Sequence, residues 1–354
     1  MSDANRIAIA CVQAKVTLPD YYTEESFRSM TERLVQQAAA TMPEGVPRLI
    51  VFPEDYASGC LFAGEEAALK DASSLRGAVA KLVQRHFPGV MKERLRHRVG
   101  WVRAFALLRA EDAARLYFRT FSELAKKHRA YILGGSALLP ELDTGDGRFV
   151  PKGPDVYNVS YLFGPDGNVV GRQRKAFLID LEGPDGLDLS SGRVEELDVF
   201  DTELGRIGVA VCFDAFQEPV IQRMKELDVD IFLQPSANPG PWNDWQREDW
   251  LRGTWKAVVE EGVAVYGVNP MLVGSLLDVE FEGQSSIVCR DTERLAGLLE
   301  GAGGAGAPDA VDPESFGRLG YEGLPPKPGF VKVARTWTEE EILTVTLPHP
   351  SLLR

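Results

Sequence analysis

Three side chains able to carry acyl-transfer chemistry each stand at the end of a short apolar run. Glu54 follows LIVFP, Lys175 ends VVGRQRK, and Cys212 follows IGVAV. Between them a carboxylate, an ammonium and a thiol can move a proton, steady a developing negative charge and attack a carbonyl. Each also has a plainer explanation by itself. A cysteine after GVAV packs as a small hydrophobe, a glutamate after Phe-Pro opens a turn or helix, and a lysine near Arg172 and Arg174 sits on a solvated edge. The case for a site lies in their joint occurrence at strand ends, because α/β proteins gather their sites along one rim of a sheet. His86, His97, His128 and His349 lie in polar or helical stretches, so nothing points to a Cys–His pair.

The elements that must position these groups alternate along the chain. Ile7–Val12, Leu49–Phe52, Tyr131–Gly134, Tyr157–Phe163, Gly208–Val211 and Ile231–Leu233 read as buried strands, as do Val263–Val268, Gln284–Cys289 and Ile342–Leu347. Glu24–Ala40, Ala113–His128, Pro219–Glu226 and Trp245–Glu261 carry apolar residues at helical spacing. This alternation predicts a layered α/β protein. PDGN at Pro165–Asn168 predicts a hairpin, hence at least one antiparallel pair. Residues 301–327, rich in Gly, Ala and Pro, read as an irregular arm. The GxGxxG at Gly301, Gly303 and Gly306 is followed by Pro308 and Pro313 and lacks a βαβ frame, which argues against a dinucleotide site. The basic stretch 92–109 reads as a solvated helix with one face on the core.

Bulk properties bound the function classes. The chain has 354 residues, 44% hydrophobic and 26% charged, with a net charge of −13. That balance disfavours nucleic-acid partners, and no apolar run reaches the length needed to cross a bilayer. Cys11, Cys60, Cys212 and Cys289 are widely spaced, so neither a zinc site nor a disulfide framework is expected. A cytoplasmic protein without membrane partners is the expectation.

The order Glu54, Lys175, Cys212 and the wording around each resemble the nitrilase superfamily of carbon–nitrogen hydrolases. FPED, GRQRKAFL and GVAVCFDAFQEP are similar to its glutamate, lysine and nucleophile segments. Further likeness lies in LGGS at Leu133–Ser136, YNVSYLFGPDGNVVG, QPSANP at Gln234–Pro239, KAVVEEGVAVYGVN and FEGQSSIV. The resemblance covers nearly the whole chain, and it places Glu218 and Glu260 at acidic positions of the pattern.

The resemblance implies a single-domain, four-layer α-β-β-α sandwich spanning 1–354, with an insertion around 61–110 and the arm around 301–327. It implies Cys212 as nucleophile, Glu54 as general base and Lys175 as oxyanion stabiliser beside the Phe213 N–H, without a metal or organic cofactor. Glu141, in GGSALLPELD, is the best match for a further glutamate of the site. CFD is closer to the amidase and carbamoylase branches than to nitrilases, which tend towards CWE. The expected substrate is a small or medium carboxamide or N-carbamoyl compound. Nitrile hydrolysis and acyl transfer are the alternatives on the same triad, and an inert scaffold is the alternative of another class. Tyr56, Phe216, Asn238 and Trp242 are expected to line the pocket because they flank the motifs, and a homodimer or larger homo-oligomer is expected.

Overall fold

The structure, a computed structural model, describes residues 5–144, 148–300 and 327–354. Most of the arm expected at 301–327, with its GxGxxG, lies outside the described residues.

Two six-stranded sheets face each other. In spatial order the first runs Glu341–Pro348, Arg6–Gln13, Arg48–Val51, Tyr131–Asp143, Val150–Phe163 and Val169–Arg174. The second runs Phe330–Val333, Ser286–Cys289, Tyr266–Asn269, Ile231–Leu233, Gly205–Val209 and Val199–Thr202. Each sheet has the same plan: three parallel strands, extended by antiparallel pairing with one strand on one side and with two successive strands on the other.

Strand alternation explains the layering. Along Arg6–Gln13, Ile7, Ile9 and Cys11 enter the core between the sheets, while Ala8, Ala10 and Val12 enter the core under the helices. Side chains two apart share a face, so a strand apolar at every position must be covered on both sides. Ile207, Val209 and Val211 do the same for the second sheet, with Ala210 turned outward. Helices Glu24–Thr41 and Trp101–His128 cover the first sheet through Phe27, Leu34 and Phe121. Helices Glu218–Glu226 and Asp244–Leu251 cover the second through Val220, Met224 and Trp250. The fold is therefore a four-layer α-β-β-α sandwich.

The expected hairpin is present. Val150–Phe163 and Val169–Arg174 pair antiparallel, and Gly164 N donates to Asn168 O at 2.8 Å across the turn. Two expectations need correction. The helix expected over Trp245–Glu261 is interrupted after Leu251, because the Gln234 side chain accepts the Thr254 N–H at 2.7 Å and the chain resumes as a wider π-type turn at Lys256–Glu260. The helix expected from Ala113 begins at Trp101 instead, one arm of the basic stretch 92–109. There Arg103 binds Asp188, Arg109 binds the Leu61 and Ala63 carbonyls, and Arg94 covers the Trp101 ring. These cations fasten the segment 61–110, which folds as helices Glu66–Leu69, Leu75–Arg85 and Phe87–His97 before the long one. Among the described residues no helix is long and apolar enough to cross a membrane.

Candidate active site

Glu54 and Cys212 follow central parallel strands of opposite sheets, Arg48–Val51 and Gly205–Val209. Lys175 follows the edge strand Val169–Arg174. A small third sheet, formed by Lys15–Thr17, Ser236–Ala237, Met271–Leu276 and Val279–Phe281, lies at this end of the sandwich.

Backbone geometry fixes Glu54. The Tyr131–Asp143 strand passes beneath it at LGGS, where Gly135 has φ +66° and a Cβ there would lie 2.2 Å from Pro53 O. A side chain at 135 would displace the glutamate segment, so only glycine suits both the φ and the approach. Ser136 completes the seat. Its Oγ accepts the Asp55 N–H at 2.8 Å and its carbonyl accepts the Ala57 N–H at 3.0 Å.

Cys212 sits on a strained turn, with φ 48°, a conformation that costs a non-glycine residue about 1–3 kcal/mol. The surroundings over-determine it. Cys212 N donates to Pro235 O at 2.9 Å, and Gln234 Nε2 donates to Cys212 O at 3.1 Å. Asn269 in turn donates to Gln234 O and Ser236 Oγ. The QPSANP segment thus holds the turn, and its Ala237 N–H donates to Glu54 Oε2 at 3.1 Å. Asp214 joins the lysine segment to the same turn by accepting the Ala176 and Phe177 N–H groups.

At the centre, Lys175 Nζ lies 2.7 Å from Glu54 Oε1 and 2.7 Å from Glu182 Oε2. Asn158 Nδ2 donates to both carboxylates, at 2.9 Å each. Glu54, Lys175, Glu182 and Asn158 are all buried. Burial and the Glu182 charge push the Glu54 carboxyl above its ordinary range, against the pull of Lys175. Burial alone would lower the Lys175 ammonium, but Glu54, Cys212 and Glu182 outweigh it and hold it well above the usual lysine value. The Cys212 thiol is pushed well up by burial and by Glu54, with Lys175 acting in the opposite direction. At rest this is a neutral thiol beside a carboxylate with raised proton affinity and a fixed cation. Such a group can pass a proton from sulfur to carboxylate as the thiol attacks.

A cavity opens beside the cluster, enclosing about 1020 Å³ of empty space with its mouth included. Glu54, Lys175, Glu182 and Ala237 lie on its wall. The segment 61–110 supplies Phe62, Val79 and Phe105, the small sheet supplies Leu276 and Phe281, and the segment after Lys175 supplies Ile179 and Leu189.

The other sequence-derived candidates are placed elsewhere. Glu141 is not brought to Glu54. It pairs with Arg174 at 2.8 Å and with Arg172 and Lys152 in an outer groove. Glu141 lies three steps beyond Leu138, which lines the cavity, and an odd number of steps turns a strand residue to the opposite face. Glu182 occupies the position by the lysine instead. Tyr56 is fully buried, its hydroxyl 3.0 Å from Thr31 Oγ1 and its ring among Phe27, Phe52 and Phe121. Trp242 is also core, stacked edge-on to Trp250 with its indole N–H on Gln284. Asn238 spends its amide on the Gly240 and Glu282 carbonyls. Phe213 is exposed and packs against Phe216. None of these five lines the cavity, whereas the neighbours Asp55, Ala237 and Pro239 do. Proximity in sequence failed here because the motif residues sit on tight turns, with Asp55 at φ 58° and Phe213 and Phe216 on the 3-10 turn Cys212–Phe216, where neighbouring side chains diverge. Asn158 and Glu182 were missed: the first lies inside the quoted YNVSYLF, and the second sits in a loop with no periodic signal.

Two mixed sheets back to back under helices, with a thiol, a lysine and two carboxylates at one end, define a class of thiol-bearing sandwich proteins. The model of the carbon–nitrogen hydrolase family matches residues 8–304, and the chain belongs to that family. Among curated proteins it is similar to the omega-amidase NIT2 of Homo sapiens, 28% identical over 135 residues that make up 36% of this chain and 45% of that protein. The omega-amidase NIT3 of Saccharomyces cerevisiae is 33% identical over 97 residues, 26% of this chain and 30% of that protein. The chain spans less than half the length of these curated relatives. Among solved structures, Nit3 of Saccharomyces cerevisiae, described as a member of branch 10 of the nitrilase superfamily, aligns with TM-score 0.58 at 18% identity over 99% of this chain and 92% of that one. A carbon–nitrogen hydrolase from Helicobacter pylori G27 aligns with TM-score 0.56 at 17% identity over 99% and 92%. At these identities the structural likeness speaks for the fold.

Proposed function

We propose that the protein hydrolyses a non-peptide C–N bond of a small or medium carboxamide or N-carbamoyl compound through a thioester on Cys212. The observation that carries this reading is the buried Lys175–Glu54 contact of 2.7 Å beside a thiol held at positive φ. Burying two carboxylates around one ammonium is costly for stability, so the cluster is better explained by chemistry than by folding.

In this mechanism Glu54 takes the thiol proton as sulfur attacks the carbonyl carbon. The oxyanion is met by the Lys175 ammonium and by the Phe213 N–H. The flanking N–H groups of Cys212 and Asp214 are already given to Pro235 O and Val211 O. Glu54 then delivers its proton to the departing nitrogen, releasing ammonia or an amine, and finally draws a proton from the water that cleaves the thioester. Removing one oxyanion donor typically costs about 3–4 kcal/mol of barrier. The protein is expected to work as a cytoplasmic homo-oligomer, and its four cysteines are free.

The test is limiting iodoacetamide labelling read by intact mass and peptide mapping, alongside an ammonia-release screen of amides. Rapid single modification at Cys212, slowed in Glu54→Gln and Lys175→Ala, is expected. Labelling spread over Cys11, Cys60 and Cys289, with no ammonia from any amide, would overturn the reading in favour of a scaffold.

A further inference from the structure

We infer that the acyl group of the substrate is uncharged and apolar, an aliphatic or aryl-alkyl carboxamide or its N-carbamoyl counterpart, and not the monoamide of a dicarboxylic acid. This rests on the hydrolase reading above and names the substrate class of that same site.

The argument comes from the charges on the cavity wall. Lys175 is the one cation among the described residues that line it, and both Glu54 and Glu182 already hold its ammonium at 2.7 Å. The other ionisable lining groups, Glu54, Asp55 and Glu182, are all acidic. A carboxylate at the far end of a bound acyl chain would therefore find no further cation to pair with among the described lining residues. Burying an unpaired charge is strongly unfavourable. Apart from Ser58, whose hydroxyl donates to Asp55 at 2.6 Å, the rest of the lining side chains are apolar. Phe62, Val79 and Phe105 of the insertion face Leu138, Leu276 and Phe281 around one space. A chain of methylenes entering that space leaves water on every side, which favours longer apolar acyl groups over acetyl. Part of this wall, with Phe62, Val79 and Phe105, comes from the segment 61–110, the part of the chain that its sequence marks as added to the common pattern.

The experiment compares acetamide, hexanamide and adipamic acid, the last being hexanamide with a terminal carboxylate, by ammonia release. Hexanamide is expected to exceed acetamide in kcat/KM by about 100-fold, the scale set by burying four methylenes at about 0.8 kcal/mol each, and to exceed adipamate as well, whose terminal charge would be buried without a partner. In Val79→Lys, at a half-buried position on the rim, the ratio of adipamate to hexanamide turnover is expected to rise at least roughly ten-fold, as a new cation finds the distal carboxylate. Cys212-dependent turnover that favours adipamate in the unmodified protein would overturn this inference and leave the hydrolase reading standing. Ammonia from none of the three, with Cys212 unlabelled by iodoacetamide, would overturn both. Binding to Cys212→Ala separates the cases without turnover: a larger rise in Tm with hexanamide than with adipamate supports the apolar class. Equal shifts, or a larger one with adipamate, sink it.

Discussion

Glu182 Oε2 lies 2.7 Å from the Lys175 ammonium, on the opposite oxygen from the one that takes the Asn158 amide. The lysine is thus gripped by two carboxylates rather than one, and Asn158 ties those two together. Glu182 also caps its own loop by accepting the Ile179 N–H at 3.0 Å. A loop residue seven positions downstream of Lys175 is in this way built into the buried cluster.

Replacing Glu182 by Gln should lower kcat with little change in KM. One charge-assisted hydrogen bond to a buried ion is worth about 1.5–3 kcal/mol, roughly 10- to 100-fold in rate. Steady-state kinetics on the best amide substrate, with circular dichroism to verify folding, check this. A kcat within two-fold of the parent would mean that Lys175 is positioned without Glu182.

Asn158→Asp should move the acid limb of the pH–rate profile upward. The mechanism uses ionised Glu54, so activity rises with pH through the Glu54 ionisation, which already lies above the ordinary glutamate range. A third carboxylate beside Glu54 and Glu182 disfavours that ionised form further. A profile of kcat/KM against pH that is unmoved, or moved downward, would contradict the role of Glu54 as base.

Gly135→Ala should both destabilise the protein and depress activity. The positive φ costs a Cβ-bearing residue about 1–2 kcal/mol, and the 2.2 Å approach to Pro53 O adds to it by pushing on the Glu54 segment. Urea midpoints and kcat measured on the same preparation test the link. Full stability with lost activity would locate the effect at Glu54 alone.

Stability should fall as pH rises from about 4 to about 7. Burial pushes the carboxyls of Asp55 and Asp214 up to about 7, while unfolded aspartates titrate near 3.9. Between those values the folded chain binds more protons than the unfolded one, so these two groups favour folding most below the unfolded value and lose that contribution as pH passes the folded one. Denaturant midpoints at pH 5 and pH 8 should differ in that direction, and Asp55→Asn should shrink the difference. An unchanged difference would mean that Asp55 ionises normally.

The sequence by itself determined most of the elements and singled out Glu54, Lys175 and Cys212 as candidates. Strands such as Ile231–Leu233 are legible because a strand covered on both faces must be apolar throughout. Glu54, Lys175 and Cys212 are legible because each ends such a run. What a local pattern could not carry is direction. Tyr56, on the turn after Asp55 at φ 58°, and Trp242 stand beside motif residues yet turn into the core, while Glu141, on a strand, turns to an outer groove because side chains alternate faces along it. Nor could it show that Glu182 and Asn158 belong to the site. They join the cluster across 128 and 104 residues of chain, through the strand pairings of the first sheet and the loop that follows its edge strand. The tertiary structure alone decided the apolar wall as well, since the helices of 61–110 become part of a cavity wall only by folding over the end of the sandwich.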